Sequence, residues 1–359
     1  MADHAAEYEW RGEGEEAEVV LFAPDDAAFE RVLPAARLPG VQSPVYAASS
    51  TEGFGWIAAS ATHVAPDLLS TPMRGLLLVA DTTVGNLGVE PRVLTNRLLR
   101  DLPEAGLRLP HLNEAGVARI CEAGGRAAAE DGLIEEDDLR LLDTRPGDAD
   151  ALGRRALDAG PPEWEAPVGL DLKVVSGVLD AEGAECLRLQ VGAVAVIVRV
   201  DAGDLGRLAL GAHRERILGR VWSRDFGAEP DLPAAPIGTE EAADLVAALH
   251  AAANFADARA ARTLWMLRRA LREVAGGLEL HGAWTVGGIE EQGGLIVHRK
   301  DLAAVTDRQA LVSGSYAAAG TGKMRASAPP FGISEEEVRW PWEEAGLLER
   351  WAELGLLGG

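Results

Sequence analysis

The sequence predicts an α/β protein folded as one large domain. Two observations predict it. Apolar runs of strand length (75–80, 191–200) and strand-like segments (278–286, 294–298) interleave with segments whose apolar residues recur at helical spacing (91–102, 113–131, 239–274). No repeat of fixed period and no low-complexity linker divides the 359 residues, and 47% of them are hydrophobic, so a sizeable core can form.

The elements follow in order. Residues 1–18, acidic and rich in Gly and Ala, read as a frayed leader. Glu18–Phe22 reads as a strand, and Asp25–Leu33 as a short helix capped by Asp25 or Asp26. The stretch LPGVQSPVYAASSTEGFGWIAAS is punctuated by Pro, Gly and Ser, with short apolar pieces between them. Gly75–Ala80 is a continuous apolar run, as a buried strand requires. Residues 143–167 mix turn residues with one short helix. Glu185–Val200 gives the clearest strand signal, and DAGDLG breaks it.

The longest helix runs from Thr239 to Val274. Thr239 caps it, Glu240 and Glu241 occupy its first turn, arginines its end, and Gly276–Gly277 stop it. Two strands follow, then a Ser/Gly/Ala loop to Lys323 and a short acidic tail helix bearing Trp.

Charge narrows the function classes. Asp and Glu number 57 against 34 Lys and Arg, a net charge of −23. A surface this acidic disfavours RNA and anionic lipid unless basic groups gather locally. The lysines are Lys173, Lys300 and Lys323, two of them in one C-terminal stretch. Two cysteines make neither a disulfide framework nor a thiolate cage. With no signal peptide and no apolar run near membrane-spanning length, the expectation is a cytoplasmic protein with no membrane partner.

Candidate binding residues concentrate near the C-terminus. GSYAAAGTGKM fails the P-loop spacing, because Ala317 and Met324 stand where Gly and a hydroxyl are needed. Ser313, Gly314, Ser315 and Lys323 nevertheless offer backbone N–H groups, hydroxyls and a cation for a phosphate; the alternative is a plain surface loop. His298, Arg299 and Lys300 form a local basic spot after a strand, with His281 on the preceding strand-like segment. Seven scattered histidines show no metal-binding spacing. Arg262, Arg269 and Arg272 share a helix face, where a solvated face paired with carboxylates is the simpler reading.

Read in order, several pieces resemble the RtcB RNA ligase family. LPGVQSPVYA followed by GFGWIAAS resembles its early L-P-G-V segment and G-x-G. DADALGRRALDAGPPEWEAPVGL resembles the lead into its G-x-G-N-H strand. VGAVAVIVRVDAGDLG resembles the strand before H-[ST]-G-S-R-G-L-G. AAANFADARA resembles A-x-N-[YF]-A-x-A-N-R, with Asn254 in place. LHG and IVHRKDLA resemble H-N and W-V-H-R-K-G-A, and LVSGSYAAAG resembles P-G-S-M-G. The resemblance covers roughly residues 30–325. It implies one RtcB-like domain over 19–325, with mixed sheets around a central cleft, helices outside and a divergent acidic tail over 326–359.

The departures from the family pattern shape the functional expectation. The family joins RNA ends using GTP, two Mn²⁺ ions and a guanylylated histidine in H-G-x-G-R. Here AASSTEG lacks the Asp and His of P-D-x-H, VADTTVGNLG offers Asp81 but no Cys for D-x-x-C-G, GLDLK replaces G-N-H, Val200 or Asp201 replaces a His, and H-G-x-G-R is absent. Of the implied metal cage only His281 remains, and one imidazole cannot hold two Mn²⁺ ions. The expectation is a degenerate RtcB-like protein without catalytic residues or cofactors. It would bind a protein partner or an anionic ligand through Asn254, His298, Arg299, Lys300, Ser313, Gly314, Ser315 and Lys323. The alternative is a divergent RNA ligase or RNA-end-processing enzyme that uses GTP and Mn²⁺.

Overall fold

The computed structural model describes residues 19–22, 27–50, 53–83, 114–130, 132, 134, 136–142, 144–153, 169–174, 190, 192–226, 230–300, 302–304 and 310–312. The leader at 1–18, the helix expected at 91–102, Cys186, the loop bearing Ser313, Gly314, Ser315 and Lys323, and the tail at 326–359 lie outside the described residues.

The architecture is mixed α/β. In chain order the elements are β1 (Val19–Phe22), α1 (Ala27–Ala36), β2 (Val41–Ser50), β3 (Gly53–Ser60), β4 (His63–Val64), β5 (Met73–Thr83), α2 (Glu114–Ala123) and α3 (Gly125–Glu130). They continue with β6 (Gly169–Val174), β7 (Ala193–Asp201), α4 (Gly203–Trp222), β8 (Ala235–Pro236), α5 (Glu240–Ala275), β9 (Leu278–Gln292), β10 (Leu295–Lys300), β11 (Leu302–Ala304) and β12 (Ala310–Val312). One eight-stranded sheet runs β1-β2-β3-β10-β9-β5-β7-β6. Only its β1–β2 pairing is parallel. β4 with β8, and β11 with β12, form two small ribbons.

α5 lies along one face of the sheet. Its Ala-rich N-terminal half favours helix intrinsically. At its start the Thr239 hydroxyl accepts from the Ala242 N–H at 3.3 Å and donates to the Pro236 carbonyl at 2.8 Å. Gly276, at φ +72°, ends it. Ala260, Ala261, Leu264, Leu267 and Leu271 of this helix pack on Leu76, Leu78 and Ala80 of β5 and Val194, Val196, Val198 and Val200 of β7. These are alternate residues, as the two-residue period of a strand demands. Leu77, Val79 and Ala195, between them, are buried too. Strands closed on both faces read as continuous apolar runs, which is how Gly75–Ala80 and 191–200 appear in the sequence.

The N-terminal half of α5 is sheathed by α2, α4 and the segment near Gly147. Ala251, Ala252 and Ala256 are fully buried there, and a Cβ on Gly147 would stand 2.6 Å from the backbone of Ala251. Small residues on both sides set this close approach.

Several local readings change. The Pro/Gly/Ser-punctuated stretch is the hairpin β2–β3, with a register shift between Gln42 and Tyr46. The helix expected over 113–131 is two helices parted at Gly124, whose φ of +49° needs no Cβ. DAGDLG ends a strand, as read, but it also opens the 20-residue α4. Asp201 Oδ1 accepts from the Gly203 N–H at 3.1 Å, so the break is the turn into a helix. No helix among the described residues is long and apolar enough to cross a membrane.

Candidate functional site

His298, Arg299 and Lys300 are consecutive on β10, so the strand sends them to alternate faces. His298 is fully buried. Its Nε2 accepts from the Ala65 N–H at 3.0 Å, and its Nδ1 lies 3.3 Å from the Ala58 carbonyl. The neutral Nδ1–H tautomer satisfies both contacts. Burial drives the pKa of His298 down to about 4. Lys300, on the same face, sets its ammonium 4.5 Å from the centroid of the Trp56 ring.

Arg299 turns to the opposite face and is 3% exposed. Its Nε and Nη2 donate to one oxygen of Glu290, at 2.9 and 2.6 Å. The three residues therefore do not share one basic spot. Each meets a different neighbour.

Asn254 sits inside the molecule with no exposed surface. Its Nδ2 donates to the carbonyls of Cys121 at 2.7 Å and Arg145 at 2.8 Å, and its Oδ1 accepts from the Arg145 N–H at 2.9 Å. It clasps the end of α2 and the segment at Arg145 to α5. The close turn at Gly124 makes this possible, since a Cβ there would stand 3.1 Å from that of Asn254. Cys121 beside it is fully buried, and its thiol is pushed up to about 12, so it is inert.

One turn further along α5 is a group that the sequence reading did not single out. Asp257 is fully buried and pairs with Arg74 of β5 through both carboxylate oxygens. Arg145 Nη1 lies 3.6 Å from the same carboxylate. Thr285 of β9 accepts from Arg74 at 2.8 Å and from Arg145 at 3.3 Å. An Asp at the heart of the Ala-rich stretch AAANFADARA, between Asn254 and Arg259, is the sequence signal that marks it. On the same helix Arg259 donates to the Asp201 carbonyl at 2.6 Å and to its Oδ1 at 3.1 Å.

His281 is half-buried on β9, where the register against β5 shifts: Gly282 opposes Leu77 and Leu280 opposes Leu78. His281 is the bulged residue between them. Its Nε2 lies 3.6 Å from Glu279 Oε2. Among the described residues no three His, Cys, Asp or Glu side chains converge as a metal cage. The donors present there do not fit a two-Mn²⁺ centre, whose ions each need several O or N ligands.

A cleft with a volume of about 850 Å³ lies at the C-terminal end of α5. Trp265, Arg268, Arg269 and Arg272 line it from the helix, and Asp81 and Glu279 from the strand ends. Arg268 is tied down. It donates to the Leu278 carbonyl at 2.8 Å and pairs with Asp138. Arg262, Arg269 and Arg272 do not form the single solvated face that their spacing suggests. Arg262 is buried over Trp265 at 4.8 Å from the ring centroid, while Arg269 and Arg272 are exposed.

No known protein-family model matches the chain. Over 232 residues, 56% of this chain, it is 27% identical to the tRNA-splicing ligase RtcB of Methanopyrus kandleri. The chain spans about a quarter (23%) of the length of that relative. The likeness ties about half of the chain to an RNA-ligase-related sequence.

Proposed function

We propose that this chain is an RtcB-related protein that has given up metal-dependent ligation and works by binding a protein partner or an anionic ligand. The observation that carries the reading is the fate of the polar residues along the resembling segments. At the strand end where the family pattern has a His and this chain has Val200 and Asp201, Asp201 receives Arg259 and turns the chain into α4. His281, whose Nε2 lies 3.6 Å from Glu279 Oε2, belongs to no group of three His, Cys, Asp or Glu side chains that could hold a metal among the described residues. The absence of H-G-x-G-R from the sequence supports the same reading, since that motif supplies the family's guanylylated nucleophile.

Incubation of the full chain with radiolabelled GTP and Mn²⁺ tests it. No covalent label and no joining of RNA ends bearing 3′-phosphate and 5′-hydroxyl are expected. An acid-labile guanylyl label, or a ligated product, overturns the reading and makes the chain a divergent ligase.

A further inference from the structure

We propose that the cleft at the C-terminal end of α5 binds a small phosphate monoester, with Arg269 and Arg272 holding the phosphate and Trp265 flanking the organic body. This names a ligand class and a place for the anion-binding role proposed above, and it rests on that reading.

Size comes first. A cleft of about 850 Å³ is far larger than a bare phosphate needs and lies in the range of small-molecule sites. Apolar wall is present for an organic body: Ile134 and Leu278 line the same space beside Trp265.

Charge comes next. Arginines near a helix C-terminus ordinarily offset the macrodipole. Arg268 already does so here, through the Leu278 carbonyl and Asp138. Two other exposed helix arginines are taken up by acids: Arg216 meets Glu240 and Asp244, and Arg220 meets Asp225 and Glu241. Among the described residues neither Arg269 nor Arg272 has an ion-pair partner, although acids outnumber bases 57 to 34. Arg269 rests over Trp265 at 5.6 Å from the ring centroid, an arrangement that fixes a guanidinium without using up its outer N–H donors. Two forks three residues apart on one helix suit the oxygens of one dianion.

The acidic side of the cleft limits the ligand further. Asp81 and Glu279 line it as well, with His281 3.6 Å from Glu279. Carboxylates there repel a second phosphate and accept hydrogen bonds from hydroxyl or amino groups. A monoester with a polar or aromatic body satisfies both sides.

Titration calorimetry on the full chain provides the test, with phenyl phosphate as probe, inorganic phosphate as the probe without a body, and phenol as the probe without a charge. Phenyl phosphate should bind more tightly than phosphate, and phenol should not bind. Arg269→Ala and Arg272→Ala should each weaken phenyl phosphate binding roughly tenfold or more. Both should leave the unliganded melting temperature nearly unchanged. Asp81→Asn removes a negative charge from the wall and should tighten binding roughly threefold, a gain that misfolding cannot imitate. The inference is overturned if phenyl phosphate fails to bind at millimolar concentration, if the double arginine variant binds as the parent does, or if phenol binds equally well. These outcomes are independent of GTP labelling, so failure of the cleft and failure of the functional reading are separable.

Discussion

Arg74 and Asp257 meet side on between the interior strand β5 and the long helix α5, with side-chain exposures of 4% and 0%. Oδ2 of Asp257 takes the Arg74 Nη2–H at 3.2 Å, while Arg145 approaches from a third segment. A single carboxylate thus anchors a strand, a helix and a loop. Removing one partner of such a pair strands a buried charge. Asp257→Asn should cost about 3–5 kcal/mol in urea or guanidinium unfolding. Arg74→Met combined with Asp257→Leu should recover part of that loss, the remainder being the carboxylate that Arg145 still lacks. Equal instability of the single and double variants would show that packing volume, rather than the uncompensated charge, governs the site.

His298 makes stability depend on pH. Burial lowers its pKa from 6.5 to about 4, so the folded chain holds it neutral where the unfolded chain takes up a proton. Stability from this site is complete above 6.5 and falls as pH drops from 6.5 towards about 4. His213 and His250, both lowered chiefly by burial, act in the same direction. His298→Gln keeps a donor and an acceptor without the titration. Urea midpoints measured across that window should fall less steeply for the variant than for the parent. Parallel curves would remove His298 from the pH dependence.

Asn254 uses its donors and its acceptor on backbone groups of α2 and the Arg145 segment. Asn254→Ala leaves those buried groups unpaired and should cost about 1–3 kcal/mol. Hydrogen exchange of the Arg145 amide should accelerate in the variant more than that of amides in β7. Unchanged protection at Arg145 would contradict the clasp. Asn254→Asp should be worse than Ala, because it buries a charge and offers no N–H to the Cys121 and Arg145 carbonyls.

Gly147→Ala would place a Cβ 2.6 Å from the Cα and N of Ala251 and 2.8 Å from the Cys121 carbonyl oxygen. Those atoms are all backbone, so the helix and the loop must part. A loss of about 1–3 kcal/mol is expected, as for overpacking in a core. Ala251→Gly in the same chain should not rescue it. Rescue would mean that the Ala251 methyl, and not the backbone, sets the contact.

By itself the sequence determined the local elements whose signals are local. The cap at Thr239, the stop at Gly276–Gly277 and the apolar runs of β5 and β7 depend on neighbours within a few residues, and the structure has them there. The mixed α/β class follows from their order. α4 escaped the reading because its apolar residues are not confined to one face: Leu205, Ala209, Ile217 and Val221 recur four apart on the buried side, with His213 among them, while Leu208, Leu210 and Leu218 stand off it, half-buried.

What only the tertiary structure decided is which polar residues meet. His298, Arg299 and Lys300 look like one cluster in the chain, yet strand alternation gives them three different neighbours: the Ala65 backbone, Glu290 and Trp56. Asp257, Arg74 and Arg145 look unrelated in the chain, yet they share one buried site. Their partnership spans 183 residues between Arg74 and Asp257, a separation across which no spacing rule operates. Spacing reports geometry only while one element's repeat carries it. Beyond that, desolvation decides: once the apolar faces of β5 and α5 close, any ionised group trapped between them must find its opposite charge there.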